Sequence, residues 1–190
     1  MNKSLQIVLF ICLLITILCF FQFFQESLVY SRKDIENGEL WRLWTGQFVH
    51  INYQHLLLNS IGLLLFIIIY KKNLLIKILI IELCMLSSGI AIGLYYLSTT
   101  IFLYAGLSGV LYGLFTLYST KAIKLRDYLL GYFVFFIISF KIIWSYIELI
   151  NINNLTLIQA PIANDAHLYG YITAIIITSI KKLLNDRKII

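Results

Sequence analysis

The sequence predicts an all-α, polytopic membrane protein: a bundle of six transmembrane helices with both termini in the cytoplasm. Three observations carry that reading. Of 190 residues, 61% are hydrophobic and 13% charged, against about 45–50% and about 25% in soluble domains. Mean hydropathy is +0.89. The apolar residues also gather into runs of about twenty, the length that crosses a bilayer core. A soluble fold of this size has too little interior to hide so much apolar side chain. One proline and ten glycines argue against a loop-rich or disordered chain. Residues 1–190 read as one membrane domain with no internal repeat.

The first span covers about Leu5 to Phe24 behind Lys3. It is too long for a signal-peptide core and lacks a small-x-small cleavage site, so it is expected to stay as an anchor. Residues 25–52 form the longest extramembrane stretch, with Trp41 and Trp44 as interface anchors. The second span runs from about Tyr53 to Tyr70 and stops at Lys71-Lys72. The third runs from about Leu74 to Leu97, with Ser87, Ser88, Gly89 and Gly93 as packing residues. The fourth covers about Leu107 to Thr120 and the fifth about Tyr128 to Leu149. A neutral, Asn-rich loop containing Pro161 follows, and the sixth span runs from about Ala166 to Ile180. The fourth and sixth are short and are expected to be central helices sheltered by the rest.

Net charge is +6 from 15 Lys and Arg against 9 Asp and Glu. The cations are scattered between apolar runs, which reads as membrane topology and not as a nucleic-acid stripe. Lys3, Lys71, Lys72, Lys77, Lys121, Lys124, Arg126, Lys181, Lys182, Arg187 and Lys188 fall on one side of a six-span layout. Arg32, Lys33 and Arg42 fall on the other, beside Glu26, Asp34, Glu36 and Glu39. The positive-inside rule puts the first group in the cytoplasm. Cys12, Cys19 and Cys84 lie within apolar runs without metal-ligand spacing and read as small membrane hydrophobes.

Polar residues at membrane depth are costly, so they are where function is sought. Three clusters stand out: His50 through Asn59, Gly106-Leu107-Ser108-Gly109, and Asp165-Ala166-His167-Leu168-Tyr169-Gly170. All three map to the outer ends of spans. His55 and Asn59 share one helix face. Ser108 and His167 lie at matching depths on spans running in the same direction. A serine hydroxyl becomes nucleophilic when a base takes its proton, and a neutral imidazole is the usual base. A helix N-terminus disfavours imidazolium at His167. Free N–H groups at the start of the Ser108 helix, with His55 and Asn59, can hold an oxyanion.

Plainer readings stand beside these. Gly-Ser pairs commonly serve close helix packing, and Gly109-x-x-x-Gly113 and Gly170-x-x-x-Ala174 are small-residue stripes. A histidine at a helix start is commonly a polar interface residue. Asp165 is either a helix N-cap or an orienter of His167. Glu82 and Lys141 fall within spans and either pair with each other, snorkel, or pair elsewhere. What favours chemistry is that all three histidines, Ser108 and Asn59 fall at one membrane level.

At these residues the sequence resembles the rhomboid family of intramembrane serine proteases. Trp41-Arg42, His50 with His55 and Asn59, Gly106-Leu107-Ser108-Gly109 and Ala166-His167 with Gly170 carry the likeness in order. It implies a six-helix rhomboid-like bundle with a Ser108–His167 dyad. His55, Asn59 and the Ser108 N–H would surround the oxyanion, His50, Gly106, Gly109 and Gly170 would support it, and Trp41-Arg42 would brace the first loop. The loop from about Ile150 to Asn164 resembles the cap loop of rhomboids. Trp41-Arg42-Leu43-Trp44-Thr45-Gly46 and Asp165-Ala166-His167-Leu168 are most similar to the bacterial rhombosortase branch. That resemblance implies exported, membrane-spanning substrates with a C-terminal Gly-Gly motif, a hydrophobic helix and a basic tail. Gln47, where many relatives have histidine, and Ala174, in place of a second glycine, depart from the pattern.

The expectation is an endopeptidase of the bacterial inner membrane with its active site toward the periplasm, using no metal or organic cofactor. Its partners are transmembrane substrates and membrane lipid, not nucleic acid. Oligomeric state, the scissile bond and the choice between hydrolysis and acyl transfer to an amine stay open. Two rivals are a non-catalytic rhomboid-like protein that binds membrane clients and a small transporter using the histidines as a proton path. Retention of both Ser108 and His167 weighs against the first, and the lack of inverted-repeat signals against the second.

Overall fold

The computed structural model describes residues 3–148 and 163–186. Most of the expected cap loop, with Pro161, and the basic residues Arg187 and Lys188 lie outside them. The described residues form helices α1 (Lys3–Gln22), α2 (Gln25–Leu28), α3 (Arg32–Glu36), α4 (Arg42–Thr45), α5 (Tyr53–Tyr70), α6 (Ile76–Ile92), α7 (Ser108–Lys124), α8 (Tyr128–Glu148) and α9 (Asn164–Asp186). Two short strands, β1 (Tyr30–Ser31) and β2 (Leu103–Tyr104), complete the fold. A π turn over Gly93–Leu97 extends α6.

Among the described residues, four segments are long and apolar enough to cross a membrane: Leu5–Gln22, Tyr53–Asn73, Ile76–Leu97 and Tyr128–Ile147. This corrects the expectation of six spanning helices, and the placement of both termini that rested on counting six goes with it. The reason is physical. α7 has 17 residues and carries Ser108, Thr116, Ser119, Thr120, Lys121 and Lys124, so it is short of the roughly twenty apolar residues a span needs. α9 is longer, but Asn164, Asp165, His167, Lys181 and Lys182 dilute its apolar character. α7 is built for contact with protein, whereas α9 buries only one face and leaves Ile172, Ile176 and Ile180 exposed.

α7 sits at the centre. Ten of its residues are buried, among them Val110, Leu114 and Leu117, and it packs chiefly against α9 and α8. Leu63 and Phe66 of α5, Leu86 and Ile90 of α6, and Ala166 and Ala174 of α9 close the same core. α1 and α8 instead turn large apolar side chains outward, such as Leu13, Leu129 and Phe136, as helices solvated by lipid do.

The first loop is tied down by its polar groups. Arg42 donates from Nε to Glu39 at 2.6 Å and from Nη1 to the carbonyls of Glu26 and Val29, both at 2.9 Å. The Arg42 guanidinium thus ties its own turn to the two carbonyls within α2 and just beyond it. Trp41 and Trp44 are exposed, and their indole N–H groups donate to the Ser27 carbonyl and the Ser88 hydroxyl. Arg32 donates to the carbonyls of Leu94, Tyr95, Ser98 and Ile101, answering the C-terminal end of the α6 extension with a cation. β1 pairs antiparallel with β2, Tyr30 opposite Tyr104. That two-residue ladder fixes the first loop beside the segment that leads into Ser108.

Candidate active site

α7 begins at Ser108 with no side chain capping it. The N–H groups of its first turn are left for something else to satisfy. The entry is set by Gly106, whose φ of +135° suits glycine alone. A Cβ there would also stand 2.5 Å from Cε1 of His55. Two independent reasons thus exclude a side chain at 106. The Gly106 N–H donates to the Gly46 carbonyl at 3.0 Å, so the first loop holds this turn directly.

His167 lies in the first turn of α9, and its Nε2 is 2.8 Å from Ser108 Oγ. That is hydrogen-bonding distance for a serine and the base that would deprotonate it. The His167 ring is stacked on Tyr112, centroids 4.2 Å apart and planes 7° from parallel. Tyr112 therefore fixes the ring plane. It follows Ser108 by one helical turn, a signal that its spacing carried and that sequence reasoning passed over.

Ser108 and His167 face a cavity of about 350 Å³ that His55, Asn59, Tyr104 and Tyr112 also line. The expected oxyanion residues are thus gathered around it. Asn59 Nδ2 bonds the His55 carbonyl one turn back at 3.1 Å, while His55 Nδ1 has no partner among the described residues. His50 does not line the cavity. It is fully buried behind His55, ring centroids 5.1 Å apart and edge to face. Burial, and secondarily His55, pushes its pKa down to about 3. The His50 backbone is clasped by the Gln22 amide, which accepts from its N–H at 2.9 Å and donates to its carbonyl at 2.7 Å.

Tyr104 is the second residue that sequence reasoning missed. Its hydroxyl donates to the Gly106 carbonyl at 2.5 Å. Burial raises its pKa well above the ordinary value, against smaller opposing effects of the Gly109 backbone and the Ser108 side chain. This donor held protonated beside the nucleophile stands only four residues before Ser108, and its pairing with Tyr30 holds it in place.

Asp165 stands within α9, and both carboxylate oxygens are engaged away from His167. Oδ2 accepts from Ser98 Oγ, and Oδ1 accepts from Tyr146 at 2.9 Å. Glu82 pairs with Lys181 at 2.7 Å, so of the alternatives open for it the structure shows pairing elsewhere and not with Lys141. Gln47, buried, donates to the Ser87 carbonyl at 2.9 Å and so joins the end of α4 to α6. Among the described residues no group of three His, Cys, Asp or Glu is placed to hold a metal ion.

The rhomboid domain family matches residues 37–182 of this chain. The chain belongs to the rhomboid family. Among curated proteins none matches it. The matched region takes in Arg42, His55, Ser108 and His167 and leaves out α1, so everything that lines the cavity lies within the rhomboid domain. This rhomboid also keeps a serine and a histidine in contact, the minimum a nucleophile–base pair requires.

Proposed function

We propose that this rhomboid is an intramembrane serine endopeptidase. The observation that carries the reading is the 2.8 Å contact between Ser108 Oγ and His167 Nε2 at the wall of a cavity. In this mechanism His167 takes the Ser108 proton as Oγ attacks the scissile carbonyl. The resulting oxyanion is met by the uncapped N–H groups that open α7 and by His55 and Asn59. His167 then returns the proton to the leaving amine, and an acyl-Ser108 ester remains. Water releases the acyl group, or an amine does so by acyl transfer.

Substrates are transmembrane segments. A helical peptide bond is shielded by its own hydrogen bonds, so the target is a glycine-containing stretch that unwinds readily. The similarity of the Trp41–Gly46, Ser108 and His167 motifs to rhombosortases narrows this to exported proteins with a Gly-Gly, hydrophobic helix and basic tail. The protein is placed in a bacterial inner membrane with the site toward the periplasm. Supporting that orientation, Lys71, Lys72, Lys121, Lys124, Lys181 and Lys182 all stand at the helix ends away from Ser108.

The test is labelling of the detergent-solubilised protein by a fluorophosphonate, which reports an activated serine without a known substrate. Wild type is expected to label, and Ser108→Ala and His167→Ala are not. Folded wild type that does not label overturns the protease reading in favour of a client-binding rhomboid. Co-expression with a Gly-Gly-tailed protein tests the substrate class. Equal processing by wild type and Ser108→Ala would sink that assignment.

A further inference from the structure

At the end of the bundle away from Ser108, α6, α7 and α9 enclose a groove of about 1020 Å³. Its polar residues include Glu82, Thr120, Lys124, Thr178, Lys181 and Lys182, with Lys121, Asn185 and Asp186 beside them. Lys124 follows Ser108 by sixteen positions on one helix, about 24 Å at 1.5 Å per residue, so this is a separate place from the active-site cavity. We propose that it binds the phosphate headgroup of an anionic phospholipid.

The argument begins with charge. The Glu82 side chain is 3% exposed, and one carboxylate oxygen accepts from Lys181 at 2.7 Å. Glu82 therefore fixes the half-exposed Lys181 at the groove and offsets its charge. Lys124 and Lys182 are exposed and make no ion pair among the described residues. They supply the positive potential that outweighs Asp186 on the rim. Lys121 contributes less, because its Nζ donates to the Asn73 carbonyl at 3.1 Å and lies 4.8 Å over the Tyr118 ring. The Thr120 and Thr178 hydroxyls, 3.1 Å apart, bridge α7 to α9 across the floor.

The rest of the groove distinguishes a lipid from a soluble anion. Its walls include Ile78 and Leu117, and Ile78 is exposed, as is Ile81 one turn along the same spanning helix. An apolar track thus leaves the lysines and runs along the membrane-facing side of α6. A phosphate joined to acyl chains satisfies both halves, and a free phosphate only one. Basic pockets between membrane helices recognise anionic lipid in this way.

The experiment is native mass spectrometry of the full chain drawn from vesicles of equal phosphatidylglycerol and phosphatidylcholine. Wild type is expected to retain phosphatidylglycerol at least tenfold over phosphatidylcholine. Lys124→Gln with Lys182→Gln is expected to abolish that preference and bring the ratio close to 1, since each lysine contributes up to about fivefold. Lys124→Arg with Lys182→Arg is expected to keep the preference. Lys77→Gln, an exposed lysine of α6 outside the groove, is the control for diffuse surface charge. Three outcomes overturn the proposal. These are equal retention of the two lipids, an equal loss in Lys77→Gln, or displacement of the bound lipid by millimolar inorganic phosphate. Because the substituted lysines are exposed, each variant is expected to keep the wild-type unfolding temperature.

Discussion

Gly109 meets Ala166 backbone to backbone: a Cβ on Gly109 would stand 2.8 Å from the Ala166 carbonyl oxygen. One turn further, a Cβ on Gly113 would stand 2.9 Å from the carbonyl oxygen of Gly170. α7 and α9 therefore touch through bare backbone directly beside Ser108 and His167. Contact at 2.8 Å between the side chains of a serine and a histidine needs axes this close.

Gly113→Ala and Gly170→Ala should therefore damage chemistry more than stability. The added methyl forces α9 outward at a cost of about 1–3 kcal/mol. A displacement near 1 Å at the reacting pair costs about 100-fold in rate. Fluorophosphonate labelling is expected to slow by about that factor in protein that still elutes as a folded monodisperse peak. Labelling at the wild-type rate would mean that the helices have slack the backbone contacts do not suggest.

Gly106→Ala adds two separate faults. The residue must hold φ +135°, which costs a non-glycine residue about 1–3 kcal/mol, and its Cβ enters the His55 ring. Thermal unfolding in detergent is expected at a clearly lower temperature, with labelling of Ser108 largely lost. His55→Ala in the same background removes the clash alone and should recover part of the stability, leaving the dihedral strain behind.

Arg42→Lys tests the brace. The guanidinium reaches Glu39, Glu26 and Val29 at once, and a point ammonium cannot span that fork. Hydrogen bonds to a charged group contribute about 1.5–3 kcal/mol, so losing the fork should lower stability by about 2–3 kcal/mol. Retention of the wild-type unfolding midpoint by Arg42→Lys would show the brace to be dispensable.

His50 should make stability fall in acid. Its folded pKa, about 3, lies below the ordinary value of about 6.5. Between those values the unfolded chain takes a proton there that the folded chain refuses, so stability rises with pH across that window and is lost as pH falls through it. The slope is about 1.4 kcal/mol per pH unit for one such group. His50→Asn removes it, and the difference in slope between wild type and variant, not the absolute stability, is the readout.

Most of this site was legible because its parts are local. Ser108 opens a helix, His167 sits in the first turn of another, and the stripes at Gly109, Gly113 and Gly170 were visible as spacing. The span count was not. Hydropathy runs mark α7 and α9 as membrane helices, but α7 has only 17 residues, most of them buried, and polar residues at both ends dilute the apolar run of α9. Tyr104 is only four residues from Ser108, but the two-residue ladder to Tyr30 and the turn at Gly106 that hold it there have no signature in an apolar run. Glu82 found Lys181 and not Lys141 because α6 packs on α9, and pairing within the membrane follows helix contacts that hydropathy does not encode.

Asp165 supplies the sharpest remaining contrast. An aspartate that orients a catalytic histidine is worth about 10⁴-fold in rate when changed to asparagine. Here the carboxylate instead takes hydrogen bonds from Ser98, after the α6 extension, and from Tyr146 of α8. It ties the start of α9 to two neighbouring elements, and through that tie it positions His167 without touching it. Asp165→Asn keeps one oxygen acceptor, so it should lower the unfolding temperature modestly and slow labelling by no more than about tenfold. The pH profile of labelling should keep its wild-type shape. A fall near 10⁴-fold with stability unchanged would mean that Asp165 turns to His167 during the reaction. Tyr146→Phe separates the two cases: it weakens the tie and should reproduce the loss of stability, but it leaves an orienting carboxylate intact.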